Sequence, residues 1–595
     1  MRRLLLILSA ACLGWAALVA ATGGIQWRIA GVALRSREPE RALVAGLVLL
    51  LVYAFVFRES FSRDTDRVVA VLERRLAGLA LGCALGLSLQ AVCFGSFTAG
   101  GSDSFGYVSQ AYGWAKGTLP RPEPIPMSVP WPAGDASLAP LGYRAGRQPH
   151  TMVPTYAPGL PLMMAAALAS GACGPFLVVP LCSALVVWLT FLLGRRTGGS
   201  WAGLLAAMFV VTSPIVLFQS MWPMSDIPAA ALWTGAALAA LGGSRRSSLT
   251  AGLWTAAGLL VRPNLPVIPF LLLAHLALSA RGQERWIRMA LFGAVVAPAA
   301  LAIAALNTAW YGAPWNSGYG AAAELFSVTS ITANLARYPV WLWQSQSPLV
   351  LLALVPLLPR FRDDAWQPAV RLCAALFLAT LFSYLMYSTF EEWWYLRFLL
   401  PAIPAVLVLM STGLVAVGRR LPQPWGRVGV TAVTILLLTY TTRFNSDQGI
   451  FGGLKDHERR YADVGSYIHH ALPPNAVIFS VQQSGSVRYY GGRMTIRWDL
   501  IDRDWTVRAP EEVERLGLHP YMVIEDWEIP QMREWFGLAP DAAGPWPLVA
   551  RMREHGGVNI LDLSSRPSAH IAPSALASGG TPLCAAQQPL TMPPR

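Results

Sequence analysis

A bundle of membrane-crossing helices with a small α/β domain near its C-terminal end is the fold class this sequence predicts. Three observations point there. Hydrophobic residues make up 54% of the chain and charged ones only 13%, with a mean hydropathy of +0.44, a balance foreign to soluble globular proteins. The apolar residues fall in repeated runs, most of them near the length that a ~30 Å hydrocarbon core demands. After Tyr440 charged residues become frequent, and short strand and helix signals replace the long runs.

The runs lie near residues 4–21, 42–57, 76–97, 176–194, 202–218, 228–242, 250–261, 264–279, 288–306, 341–359, 369–389, 398–417 and 428–442, which makes about thirteen spans. Met1-Arg2-Arg3 and the first run have the outline of a signal peptide, but no convincing cleavage site follows, so the run reads as a retained helix starting in the cytoplasm. With that start, Arg58, Arg63, Arg67, Arg74 and Arg75, the pairs Arg195–Arg196 and Arg245–Arg246, and the later clusters at Arg281, Arg285, Arg288, Arg360, Arg362, Arg419, Arg420 and Arg427 all lie inside, as the positive-inside rule requires. Arg28, Arg35, Arg37 and Arg41, between the first two runs, break the rule. The net charge of +13 is therefore read as topology, with no nucleic-acid partner expected.

One further run, Leu160 to Ala172, is too short at about 13 residues to cross comfortably. Counting it as a span would invert every later Arg cluster, so it is read as a helix lying on the outer surface. The outer loop 98–175 then holds a helix from Ser104 to about Lys116, a Pro-rich stretch from Leu119 to Pro140 and this interfacial helix. An odd number of spans leaves the C-terminal region outside. The predicted organisation is extra N-terminal helices over 1–75, a main membrane domain over 76–442, an outer α/β domain over 443–565 and a disordered, Ala/Ser/Pro/Gly-rich tail over 566–595. Within the α/β domain, Val477–Phe479 and Tyr521–Ile524 read as strands, Tyr461–Ala471 and Pro510–Leu516 as helices. The seven cysteines show no CxxC or ligand spacing, so neither a disulfide framework nor a zinc site is expected.

On this topology several unusual residues collect at the outer ends of the helices. Asp103 follows a long apolar run, where an acid is a site candidate as well as a possible helix cap. Asp226, in Ser225-Asp226-Ile227-Pro228, has the same two readings. Arg262 and Arg397 stand where the positive-inside rule disfavours them; each either snorkels to the surface or holds a lipid-linked phosphate through paired hydrogen bonds. His150 and Tyr156, in the first outer loop, are placed to touch a substrate. Trp393, Trp394 and Tyr395 either stack on a sugar ring or form an aromatic belt. The loop around Gly318-Tyr319-Gly320 is placed to cover a cavity.

The order of these features resembles the GT-C membrane glycosyltransferases. An acid follows an early span, Tyr156-Ala157-Pro158-Gly159-Leu160-Pro161 opens an interfacial helix, Gly194-Arg195-Arg196 ends the next span, a second acid follows, and Arg397-Phe398-Leu399-Leu400-Pro401-Ala402-Ile403-Pro404 comes near the end. The likeness covers about residues 76–420 and is strongest to the branch of protein O-mannosyltransferases and lipid A aminoarabinose transferases. It implies a polyprenyl-phosphate-linked sugar as donor, a glycolipid, polysaccharide or protein as acceptor, and chemistry at the outer face of the cytoplasmic membrane. It makes Asp103 the first-loop acid and Asp226 the second, with His150, Tyr156, Arg262, Tyr395 and Arg397 as substrate-binding candidates and no cofactor or metal assigned. Two departures stand out: Ser104 replaces a second acid after Asp103, and two spans precede the usual first one. A flippase for a lipid-linked glycan, or an envelope scaffold without activity, are the other readings. No repeat of two halves with interrupted midplane helices supports the flippase.

Overall fold

The computed structural model describes all residues except 1, 23, 24, 30, 31, 37, 539–545, 553–556, 565–573, 576–583, 589 and 591–595. The chain forms two compact units, one of Met1–Gly78 with Leu414–Ile435 and one of Leu79–Gly413 with Leu436–Arg595. The first contains the helices Arg2–Thr22, Pro39–Val56 and Arg58–Glu73 and an antiparallel pair of strands, Ile25–Ile29 and Val32–Ser36. Its core gathers Tyr53, Ala54 and Phe61, and the Tyr53 hydroxyl donates to Asp64 over 2.7 Å.

Every one of the thirteen predicted runs is helical, but their lengths differ widely. Among the described residues six helices are long and apolar enough to cross a membrane: Pro39–Val56, Leu76–Phe94, Gly174–Gly198, Gly282–Tyr311, Gln367–Leu385 and the continuous stretch Trp393–Arg420. Two bent pairs, Ser200–Thr212 with Pro214–Ser220 and Ser330–Gln346 with Pro348–Leu357, raise the count to eight. The remaining runs form shorter or less apolar helices that do not meet that length and composition by themselves. Asp226–Ala240, Arg245–Val261 and Val267–Leu278 have 15, 17 and 12 residues, and at 1.5 Å per residue only the longer ones approach the hydrocarbon thickness.

The shortness of the first two has a visible use. Asp226–Ala240 and Arg245–Val261 form a tight antiparallel hairpin in which small residues accept large rings: a Cβ on Gly235 would stand 2.7 Å from the Trp254 ring, and one on Gly258 would stand 3.1 Å from the Trp233 ring. Trp233 is 1% exposed. Antiparallel packing brings the start of one helix beside the end of the next, and so sets Asp226 beside Arg262. Nearby, Leu193, Ala206, Val370, Cys373, Ala405, Val408 and Leu409 form a buried cluster that fixes the bundle.

The loop after Leu76–Phe94 follows the predicted order. Its first helix spans Asp103–Ala115, and three short antiparallel strands follow, in the order Glu123–Pro124, Thr151–Pro154, Tyr143–Ala145. The apolar run is a helix over Gly159–Ala167 extended by a 3-10 turn to Ser170, about 18 Å long and too short to span. Its first turn lies on the end of Arg245–Val261, where a Cβ on Gly159 would be 2.4 Å from the Leu260 backbone.

The C-terminal α/β signals were read correctly but incompletely. The helix runs from Leu454 to Ala471, and the sheet has six strands in the order Ser574–Ala575, Leu548–Met552, Val558–Asp562, His519–Glu525, Ala476–Phe479, Met494–Ile496. Ala476–Phe479 runs parallel to both of its neighbours. Val464, Ile468, Ile478, Val487, Val523 and Ile560 lie at the centre of its core. Most of the stretch 566–595, predicted as a disordered tail, lies outside the described residues. Where it is described it is held: Ser574–Ala575 pairs with Leu548–Met552, and the Gln588 amide donates to the Tyr489 carbonyl over 2.9 Å. The expectation of no disulfide is also corrected, since Cys173 and Cys584 are bonded across 411 residues of sequence.

Candidate active site

Asp103 is the first residue of its helix, and no side-chain cap is made there. Both of its oxygens face outward from the helix into a shared cluster. Oδ1 accepts from the Tyr156 hydroxyl over 2.6 Å, and Oδ2 accepts from Arg397 Nη1 over 3.3 Å. Tyr156 spends its proton on Asp103, so the Ser102 hydroxyl 2.7 Å away is left to donate to Tyr156. Burial and the neighbouring Asp103 charge push the Tyr156 phenol well above its ordinary range, which keeps it a donor.

One turn further along, the Tyr107 ring lies 4.5 Å from that of Tyr156, and its hydroxyl donates to Ser225 Oγ over 2.9 Å. This ties the Asp103 helix to the start of the Asp226 helix. Asp226 meets Arg262 Nη1 at 2.9 Å, with the two side chains 3% and 11% exposed. The approach falls outside hydrogen-bond angles, so the contact is an ion pair. Each partner also suits its helix end, an acid at an N-terminus and a guanidinium at a C-terminus.

The two ion pairs converge on Phe398. The Arg397 guanidinium lies 5.5 Å from its ring centre and that of Arg262 lies 6.0 Å away. Arg397 interacts electrostatically with Asp226 and Arg262 as well as with Asp103. Its Nε is buried and makes no hydrogen bond. Two acids and two guanidinium groups therefore form one neutral group, able to take an anion only by exchanging partners.

A cavity of about 400 Å³ opens beside the cluster, lined by Ser102, Tyr143, Arg144, Thr155, Tyr156, Tyr319, Glu324 and Arg497 among others. Its cover is the loop at Gly318-Tyr319-Gly320. A Cβ on Gly318 would be 2.0 Å from the Thr155 carbonyl, Tyr319 meets Tyr156 edge-on at 5.9 Å, and Arg144 donates to the Ser317 and Gly318 carbonyls over 3.3 Å. Arg497 comes from the C-terminal region and is paired with Asp499.

The structure thus brings together Asp103, Tyr156, Asp226, Arg262 and Arg397 of the predicted set. It does not bring in His150, whose ring and backbone amide both turn to Asp135, at 3.2 and 2.6 Å, and whose side chain is 60% exposed. Tyr395 contributes differently from the expectation: its ring stacks on Phe390 at 3.9 Å and lies 5.6 Å from the Arg397 guanidinium, so it supports Arg397 with its faces already engaged. Trp393 and Trp394 pack on Phe218. Tyr107, Ser225, Arg144 and Arg497 were missed. Tyr107 stands at i+4 from Asp103 and could have been found on that ground, whereas nothing local marks Arg144 or Arg497. Among the described residues no group of three or more His, Cys, Asp or Glu side chains is placed to hold a metal ion.

No protein-family model matches the chain, and no curated protein matches it in sequence. Solved structures do match. The apo oligosaccharyltransferase of Archaeoglobus fulgidus aligns over 84% of this chain and 76% of its own with a TM-score of 0.55 at 12% identity. The same enzyme tethered to an acceptor peptide aligns over 83% and 74%, with a TM-score of 0.54 at 12% identity. ArnT from Cupriavidus metallidurans bound to undecaprenyl phosphate aligns over 82% and 98%, with a TM-score of 0.49 at 13% identity. At such identities the likeness is one of fold. The chain shares the fold of the Archaeoglobus fulgidus oligosaccharyltransferase.

Proposed function

We infer that this chain is a glycosyltransferase that moves a sugar from a polyprenyl-phosphate-linked donor to a glycolipid, polysaccharide or protein acceptor of the cell envelope, at the outer face of the cytoplasmic membrane. The observation that carries the reading is the Asp103 carboxylate, shared between Tyr156 and Arg397 beside a cavity large enough for a sugar unit. The donor phosphate enters from the bundle side and takes Arg397 as its partner, which frees Asp103 Oδ2. The acceptor enters from the cavity side, and its hydroxyl gives its proton to Asp103 as the oxygen bonds to the anomeric carbon. The bond from that carbon to the phosphate oxygen breaks, the electron pair leaves with the polyprenyl phosphate, and the Arg397 guanidinium receives the charge. Attack opposite the leaving group inverts the anomeric centre. Base assistance of this kind contributes about 10²–10⁴ in rate.

The GT-C fold supports transfer chemistry, and the Cys173–Cys584 bond supports an oxidising, outer location for the loop and the C-terminal region. The decisive assay is release of polyprenyl phosphate from a panel of lipid-linked sugars by purified protein in detergent. Release is expected with at least one donor, and none across the panel in the presence of envelope acceptors would overturn the reading. Orientation is tested separately with an impermeant thiol reagent on cells. Cysteines at the exposed positions Ser128 and Glu511 should label, and one at Arg246 should be protected.

A further inference from the structure

We propose that the C-terminal α/β region is a positioning element for Asp103, acting through Tyr490 and Tyr461; this rests on the transfer reading for its consequence but not for its geometry. The segment Ala99-Gly100-Gly101-Ser102 leads directly into the Asp103 helix, and two of its residues are held by residues more than 300 positions away. The Ala99 amide donates to the Tyr490 hydroxyl over 2.7 Å. Tyr490 is 4% exposed and sits on a single π-helical turn, Val487–Gly491, a local irregularity that is frequent where a side chain must be aimed.

At the next residue the Tyr461 ring lies directly on the backbone, since a Cβ on Gly100 would come within 2.1 Å of it. Tyr461 is itself locked. Its hydroxyl accepts from Arg460 Nη2 over 2.9 Å and from Gln482 Nε2 over 2.7 Å, and Arg460 is held by both oxygens of buried Glu525 at 3.1 and 3.2 Å. Gly101 then turns with φ +56°, a conformation open to glycine at little cost. Past Asp103, the Phe105 ring lies on Gly485, where a Cβ would stand 2.2 Å away.

The contacts therefore bracket Asp103 on both sides in sequence, while none of them touches its carboxylate. Their effect is to set the direction in which the helix start presents that carboxylate to Tyr156 and Arg397. A base must lie within hydrogen-bond reach of the proton it takes, and small misplacements there cost large factors in rate. The predicted phenotype is a fall in kcat without a change in affinity, because Arg397, which holds the donor in the proposed reaction, stands on another element.

The test uses the full chain in detergent with two variants. Tyr490→Phe removes only the oxygen that accepts from Ala99, and Gly100→Ala drives a methyl group into the Tyr461 ring. Hydrogen exchange over residues 97–106 should quicken about tenfold or more in both, while exchange in the sheet strands 476–479 and 519–525 stays at the wild-type rate. With the lipid-linked sugar that the wild type cleaves, kcat should fall at least tenfold and the donor KM should stay within twofold. Unchanged exchange over 97–106 overturns the proposal, as does faster exchange with unchanged kcat. Loosening of the sheet strands together with 97–106 also overturns it, because Tyr490 would then be an ordinary core residue. A wild type that cleaves no donor defeats the transfer reading instead, and leaves the exchange result to decide the geometry by itself.

Discussion

The molecule contains two Asp–Arg pairs of the same composition in very different settings. Asp226 and Arg262 are almost sealed, at 3% and 11% exposure, between two helices locked by Gly–Trp contacts. Asp103 and Arg397 are 32% and 22% exposed, 3.3 Å apart, on a loop helix and a 3-10 segment that meet beside a cavity. A sealed pair resists separation, since either charge left alone in a dry site is costly. An open pair with a longer contact exchanges partners readily. The first is suited to holding the frame and the second to chemistry, although both acids looked alike in the sequence.

The largest expected effect tests that division. Asp103→Asn keeps the shape and loses the base, and should cut transfer by about 10²-fold or more while the thermal midpoint in detergent moves little. Asp226→Asn should do the reverse. Removing one partner of a buried pair costs about 3–5 kcal/mol, so its midpoint should fall clearly while the remaining folded protein keeps more activity than Asp103→Asn. Equal activity losses with equal destabilisation would erase the distinction between the pairs.

A smaller effect is expected at Arg397. Arg397→Lys keeps a positive charge but loses the planar fork that engages a phosphate with two hydrogen bonds. The donor KM should rise about tenfold, with a weaker salt-dependent component than in Arg397→Ala. The same substitution at Arg262 should show mainly as lost stability. A rise in donor KM that is equal for both arginines would mean that the two pairs share the phosphate evenly.

The legible part of this site was its charge pattern. Asp103, Asp226, Arg262 and Arg397 stood out because ionised groups at the ends of apolar runs are costly and therefore few. Even the outline of the loop after Leu76–Phe94 followed from run lengths and proline placement. What did not show was convergence. Arg144 and Arg497 are ordinary surface arginines in the sequence and become cavity residues only when the loop and the C-terminal region meet. Cys173 and Cys584 carry no spacing that pairs them. His150 failed for the opposite reason, because a histidine in a loop suggests chemistry by its type alone, whereas its turn is satisfied locally by Asp135. Nor did run length show which helices build the site, since Asp226–Ala240 and Arg245–Val261, with 15 and 17 residues, carry Asp226 and lead into Arg262.

The smallest predicted effect sharpens the comparison from a third kind of buried acid. Glu458 and Glu528 lie in the C-terminal region, and burial pushes each up to about 7. Glu458 does have Arg460 at 3.4 Å, but that guanidinium is already committed to Glu525, so desolvation outweighs the attraction. The sign follows from proton counting. Between the ordinary value of 4.5 and about 7 the folded region keeps protons that the unfolded chain has lost, so stability declines as pH rises through that window and levels off above it. Hydrogen exchange over the helix Leu454–Ala471, corrected for its intrinsic pH dependence, should be slower at pH 5 than at pH 8, by about tenfold or more. Glu458→Gln should flatten the slope, because an amide needs no proton to remain neutral. A region that instead tightens as pH rises would mean that Arg460 favours the Glu458 charge by more than burial penalises it.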